Sequence, residues 1–162
     1  MTAIPHSSRS RAPLYTPSQR ARRDATGWTM VQGILAPVQF LAFAISLALV
    51  LRYLSTGGGY MAATVSILVK TGLLYTIMIT GALWEKAVFG QYLFAPAFFW
   101  EDVLSFGVIA LHTLYLWGLL TGRLPPETLM IVALAAYGAY VVNAAQFILK
   151  LRAARMDVQV AA

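Results

Sequence analysis

Four long apolar runs dominate the chain, at residues 30–54, 60–84, 103–120 and 129–150. Each is close to the roughly 20 residues an α-helix needs to cross the hydrocarbon of a bilayer. Between the first two, Gly57-Gly58-Gly59 supplies a permissive turn. Between the last two, Arg123-Leu124-Pro125-Pro126 breaks the chain and Glu127 suits the start of the next helix. Pro37 falls inside the first run and predicts a kink, which a membrane helix tolerates. The pattern predicts an all-α fold, an integral membrane four-helix bundle. Residues 1–28 are polar, with Pro5, Pro13 and Pro17, and read as a flexible basic tail that becomes amphipathic or helical near 18–24. Residues 29–151 form the transmembrane domain and 152–162 a C-terminal tail. The first run starts too late and is too long for a cleaved signal peptide. No internal repeat or low-complexity tract is present.

Polar residues inside such runs carry most of the information, because an ionised one costs roughly 2.5–3.5 kcal/mol on insertion scales. Lys70 stands about ten residues into the second run and His112 about ten into the third, so both fall near mid-membrane depth. Glu85 and Lys86 close the second run; Glu101 and Asp102 open the third. Helical spacing puts Glu101, Ser105, Val108 and His112 on one face. Lys70, Leu74, Ile77, Gly81 and Glu85 form a stripe on the second helix, Asn143, Gln146 and Lys150 on the fourth, and Gln32, Gln39 and Ser46 on the first. Four stripes turned inward describe a polar pocket that opens toward the inner surface.

Composition narrows the classes. Apolar residues are 59% of the chain and charged residues 11%, about half the charged share of a soluble domain. Too few charges remain to clothe a water-facing surface. The absence of cysteine excludes disulfides, thiolate nucleophiles and cysteine metal sites. The net charge of +6 is not a nucleic-acid signature, because it clusters beside the spans and no nucleic-acid motif accompanies it. Arg9, Arg11, Arg20, Arg22 and Arg23 precede the first run, Lys86 lies between the second and third, and Lys150, Arg152 and Arg155 follow the last. Only Arg52 and Arg123 fall on the opposite side, so nine basic residues against two place both termini in the cytoplasm.

Each polar position also has an ordinary reading. Gln39, Ser46 and Asn143 suit interhelical hydrogen bonds worth roughly 0.6 kcal/mol each. Lys70 can snorkel or pair with a carboxylate. Glu85, Lys86 and Asp102 can be solvated helix ends, and Glu101 and Asp102 suit a helix N-terminus. His112 can be a packed, hydrogen-bonded residue, although its depth and its shared face with Glu101 make it conspicuous. The segment 86–100 holds Phe89, Tyr92, Phe94, Phe98, Phe99 and Trp100, with Trp84 just before it. Aromatics at an interface form an anchoring belt, and a cluster this dense equally accepts a flat conjugated ligand by offset stacking.

Several stretches closely resemble one family. They are Leu14-Tyr15-Thr16-Pro17 through Asp24; Trp28 to Gln39 with Val31-Gln32-Gly33; and Lys70-Thr71 through Met78. Next come Gly81-Ala82, Trp84-Glu85-Lys86 and Val88-Phe89-Gly90, then Leu93-Phe94-Ala95-Pro96-Ala97-Phe98-Phe99-Trp100-Glu101-Asp102, the most specific of all. Leu111-His112-Thr113 and Tyr140-Val141-Val142-Asn143 with Gln146-Phe147, running into Lys150, complete the set. The chain resembles the 3-vinyl bacteriochlorophyllide hydratase (chlorophyllide a hydratase) family of anoxygenic phototrophic bacteria over residues 14–155.

The resemblance implies addition of water across the C3 vinyl group of a chlorophyllide-type macrocycle, giving a 1-hydroxyethyl group on the way to bacteriochlorophyll a. It implies a multi-pass protein of the bacterial cytoplasmic membrane, with the pigment, the lipid, and other pigment-biosynthesis enzymes or further copies of the chain as partners. Hydration changes no oxidation state, so no cofactor is expected and magnesium enters only with the substrate. The reaction needs an acid and a positioned water. On this reading Glu101 is the first choice of acid and Asp102 the second, while Glu85 holds the water or steadies the cation. His112 is an axial ligand to the substrate's magnesium or a proton relay, and Lys70 neutralises a carboxylate or binds the substrate's propionate. Trp84, Phe94, Phe98, Phe99, Trp100, Asn143 and Gln146 complete the expected substrate site. The competing reading is a non-catalytic pigment-binding or delivery protein, which would give paired carboxylates no task.

Overall fold

The computed structural model of the protein describes residues 13–160, with side chains through Ala153. Pro5, Arg9 and Arg11 of the sequence reading, and the side chain of Arg155, lie outside the described residues. Five helices and no strand occur among those residues: α1 (Pro17–Ala25), α2 (Gly27–Thr56), α3 (Tyr60–Phe89), α4 (Phe99–Thr121) and α5 (Pro126–Val160). The last four are long and apolar enough to cross a membrane, so the chain is an integral membrane four-helix bundle. An even number of spans puts α1, the α3–α4 loop and the last turns of α5 at one end of the bundle, here the terminal end. The α2–α3 and α4–α5 turns lie at the far end.

The helices run longer than the apolar runs at every junction. α3 continues through Glu85 and Lys86 to Phe89, and α4 begins at Phe99, ahead of Glu101 and Asp102. The aromatic segment is therefore a short loop, 90–98, between two helix ends rather than a loop of fifteen residues. Hydropathy stops at the first charge, but a helix needs only backbone hydrogen bonds, and these charges are satisfied within the fold. Likewise α5 extends to Val160 where a tail was expected, and residues 17–25 are helical. Thr16 caps α1 in a full capping box with Gln19. α2 passes through Pro37 without interruption, with that proline on the exposed side. Gly57 and Gly59 both take positive φ, 72° and 88°, which lets three residues reverse the chain.

The outer faces are apolar, with Leu41, Ile45, Val69, Leu120 and Ile148 exposed to what must be lipid. Inside, Phe43, Val50, Ile67, Leu74, Val108, Tyr115, Met130 and Tyr137 form the main core. The Ser46 hydroxyl joins three helices, bonding the Tyr137 hydroxyl of α5 at 2.5 Å and Ser66 of α3 at 2.8 Å. A second, smaller core closes the terminal end: Tyr15, Val88 and Phe98, packed with Trp84, Phe89 and Phe147. α1 is tied to it by the Arg22 side chain, whose Nε donates to the Val88 carbonyl at 2.8 Å.

Candidate active site

The terminal end gathers three buried carboxyls, Glu85, Glu101 and Asp102, each at most 5% exposed. Glu85 comes from the last turns of α3 and the other two from the first turn of α4. The loop that joins these helices supplies their hydrogen bonds. Phe94 N donates to Asp102 Oδ2 at 2.7 Å, and Ala95 N donates to Glu85 Oε2 at 3.1 Å. Phe94 has φ of 59°, the one positive φ among described non-glycine residues. That left-handed residue turns two successive amides toward one point, as in an anion-binding nest.

Phe94 and Ala95 are consecutive, so their amides hold Asp102 and Glu85 at neighbouring points of one loop. Two ionised carboxylates buried near each other repel, an arrangement that favours a proton on one of them. Glu101 is placed differently. Its Oε2 forms a salt bridge with Lys150 Nζ of α5 at 2.5 Å, and the same ammonium donates to the Ala97 carbonyl of the loop. Glu101 is thus the anionic partner of a cation, and Lys150 pins the loop to α4 and α5. Two neighbouring carboxyls, one protonated and one ionised, can deliver one proton and accept another.

Aromatic residues of the loop divide between two surroundings. Phe98, 2% exposed, stacks on Phe147 and meets Trp84, Phe89 and Tyr15, making a compact apolar cluster at the terminal end. Trp84 is oriented by its indole N–H, which donates to Thr29 Oγ1 at 3.0 Å. Burial raises the Tyr15 phenol above its usual range, so this residue stays neutral. Phe94, Phe99, Trp100 and Phe106 instead face outward, Trp100 at 68% exposure. Phe94 lies flat against Phe106, 5.5 Å between centroids and 13° between planes, and contacts Phe99. They form an aromatic ledge on the lipid side, one residue's backbone away from Asp102.

The remaining predicted residues lie deeper. Asn143 donates from Nδ2 to Ser105 Oγ at 2.8 Å, and Gln146 sits one turn nearer the carboxyls. His112 is 1% exposed; its Nδ1 donates to the Val108 carbonyl at 2.9 Å, which leaves Nε2 as a bare acceptor. Lys70 is wholly buried with Nζ over the Tyr140 ring, 3.8 Å from its centroid. The common face of Glu101 and His112 is real, but eleven residues of helix separate them by about 16 Å, so His112 does not touch the carboxyls. The polar stripes meet in two layers, a carboxyl layer at the terminal end and a Lys70–His112 layer at mid-depth. The open polar pocket expected from the stripes is replaced by a closed core, with all three carboxyls buried and the loop amides bound to two of them. No group of three or more histidine and carboxylate side chains suited to a metal ion occurs among the described residues. Three contributors went unassigned in the sequence reading: Lys150, Arg22 and Ser105. Only Lys150 and Ser105 carried a signal, their places on the polar stripes.

Similarity to known proteins extends over almost the whole chain. The family model of 2-vinyl bacteriochlorophyllide hydratase (BCHF) matches residues 15–153. A protein of that name from Cereibacter sphaeroides is 73% identical over 148 residues, 91% of this chain and 92% of the relative. Another so named, from Rhodobacter capsulatus, is 71% identical over 148 residues, 91% of this chain and 86% of the relative. No solved structure matches. The family description numbers the vinyl group 2 where the resemblance above numbers it 3; group and reaction agree. The chain belongs to the 2-vinyl bacteriochlorophyllide hydratase family.

Proposed function

We propose that this enzyme, a hydro-lyase like its named relatives, hydrates the vinyl group of a bacteriochlorophyllide-type macrocycle by acid catalysis at the Glu85–Asp102 pair. The observation that carries this reading is the placing of two buried carboxyls, Glu85 and Asp102, on successive amides of one loop, where a proton on one of them is favoured. Helix ends assign the roles. Glu85 stands near the negative C-terminus of α3 and is the better holder of the proton; Asp102 lies in the first turn of α4, where an anion is favoured.

The steps balance. Glu85 gives its proton to the terminal vinyl carbon, which becomes a methyl group. The inner carbon becomes a cation delocalised into the macrocycle, and the two carboxylates steady it. Water adds to that carbon, and Asp102 takes the proton the water loses. The pair again holds one proton, and no electron has left or entered. Glu101, engaged by Lys150, acts as a positioning residue that fixes the start of α4 and the loop. This moves the acid from Glu101, favoured on the sequence, to its neighbours.

The macrocycle reaches the pair from the lipid side, along the ledge of Phe94, Phe99 and Phe106, since Phe94 both stacks there and binds Asp102. Its magnesium travels with it, and the chain's own residues carry the chemistry without a further cofactor. The membrane on this reading is the bacterial cytoplasmic one, with the terminal end inside, an orientation the nine-to-two basic count supports. Reporter fusions at both termini then read cytoplasmic and one at Gly58 periplasmic; a periplasmic C-terminus would refute this topology. Purified protein incubated with chlorophyllide a, without metal, nucleotide or reductant, is expected to shift the long-wavelength band to the blue as the vinyl group is lost. Binding with the vinyl group intact would return the chain to a pigment carrier.

A further inference from the structure

The bundle axis between the two polar layers is lined with side-chain atoms that no protein group satisfies. Gln39 Oε1 of α2, Lys70 Nζ of α3, His112 Nε2 of α4, and Asn143 Oδ1 and Gln146 Oε1 of α5 are all buried and have no hydrogen-bond partner among the described residues. Every one of the four spanning helices contributes. Their heights form a series. Gln146 is nearest the carboxyls, and Asn143 follows one turn on, bonded to Ser105. Gln39 stands one turn from Phe43, which packs on Tyr140. Tyr140 itself lies one turn beyond Asn143 and carries the Lys70 ammonium on its face. His112 lies against Tyr137, one turn along α5 from Tyr140, at the end of the series.

These groups cannot satisfy one another. Four of the five atoms are acceptors, and the one donor, Lys70, is already turned to a ring face. Buried polar groups in folded proteins are almost always paired, and a water, with two donors and about three bonds to make, is what such acceptors recruit. Within a membrane span, chains of this kind mark water or proton paths.

We infer that the axis from Lys70 to Ser105 holds ordered water, and that this water is the store from which the hydration draws its nucleophile. The inference rests on the hydratase reading for its second half only. The apolar packing of the terminal end favours it: the cluster of Tyr15, Trp84, Phe89, Phe98 and Phe147 there offers water no polar path. One turn along α4 from Glu101, Ser105 bonds Asn143 and leads toward the axis. A pigment seated on the ledge leaves this inner approach free, so water attacks from the side opposite the lipid.

The test is pulsed hydroxyl-radical labelling of the full chain in lipid nanodiscs, without pigment, followed by mass spectrometry. His112 and Tyr140 are expected to be oxidised. Met130, wholly buried in the apolar part of α5 and intrinsically oxidisable, is the dry control and stays unmodified. Protection of His112 and Tyr140 equal to that of Met130 would overturn the wet axis whatever the enzyme does. Asn143→Leu should then cut labelling of both residues and lower turnover on the order of tenfold or more at unchanged pigment affinity. Full turnover with labelling abolished would overturn the axis as the source of the nucleophile. If Asn143→Leu fails to assemble, Gln39→Leu asks the same question from the opposite helix. An inactive wild type with a labelled axis would instead count against the hydratase reading alone.

Discussion

The two layers of buried ionisable groups follow opposite rules. At the terminal end each buried charge has a protein partner: Glu101 has Lys150, Lys150 also holds the Ala97 carbonyl, and Glu85 and Asp102 have the amides of Ala95 and Phe94. At mid-depth Lys70 has only the face of Tyr140, and His112 Nε2 has no protein partner among the described residues. The difference teaches where chemistry can be done. Fixed partners hold two carboxyls in place, as proton transfer requires. Unsatisfied groups have no fixed protein partner, and suit bound water.

The largest effect expected from breaking this contrast is on turnover. Glu85→Gln and Asp102→Asn preserve size yet remove the transferable proton or its acceptor, and each should lower hydration by about 10²–10⁴-fold. Glu101→Gln should cost much less, because Glu101 positions rather than donates. Comparable losses for all three in single-turnover assays would dissolve the assigned roles.

Stability sharpens the same contrast. Lys150→Met leaves Glu101 buried and unpaired, and should destabilise the bundle by about 3 kcal/mol, less any relief from the partial exposure of Lys150. Lys70→Met removes a buried cation that no carboxylate balances, and should be neutral or stabilising by about 1 kcal/mol. Unfolding in mixed micelles reads both, and losses of equal size would show that Lys70 is paired after all. His112→Ala, some 16 Å along α4 from Glu101, should alter turnover of magnesium and metal-free pigment alike and only modestly. Selective loss of magnesium-pigment binding would restore the axial-ligand role.

The smallest effect is in the loop. Phe94→Ala keeps a Cβ at a φ of 59°, whereas Phe94→Gly removes that strain. The glycine variant should be the more stable of the two by about 1–2 kcal/mol, although both lose the stacking on Phe106. Equal stabilities would mean the loop relaxes, and that its amides are not held in place for the carboxyls.

Much of this was legible in the sequence. Four spans follow from hydropathy, because lipid on the outside demands apolar residues at almost every exposed position. The inward faces followed from spacing, as Glu101, Ser105, Val108 and His112 are all buried. Height was lost in that reading, since a face is defined by angle and says nothing of the rise between its members. Helix ends were lost too, because Glu85, Glu101 and Asp102 look like solvent-facing residues until the loop binds them, while Lys86 is the one that stays exposed. The pairing of Lys150 with Glu101, 49 residues apart, and of Glu85 with Asp102 is a property of how α3, α4 and α5 meet, and no local pattern encodes it. The aromatic segment could not be divided into buried cluster and ledge for the same reason.

The central claim is that the pair of Glu85 and Asp102 holds a single proton, and infrared spectroscopy of the protein in lipid at neutral pH tests it most directly. The carbonyl stretch of one protonated, hydrogen-bonded carboxylic acid is expected in the wild type, lost in Glu85→Gln, displaced in Asp102→Asn and unchanged in Glu101→Gln. A band that survives Glu85→Gln, or that disappears with Glu101→Gln, would contradict the account.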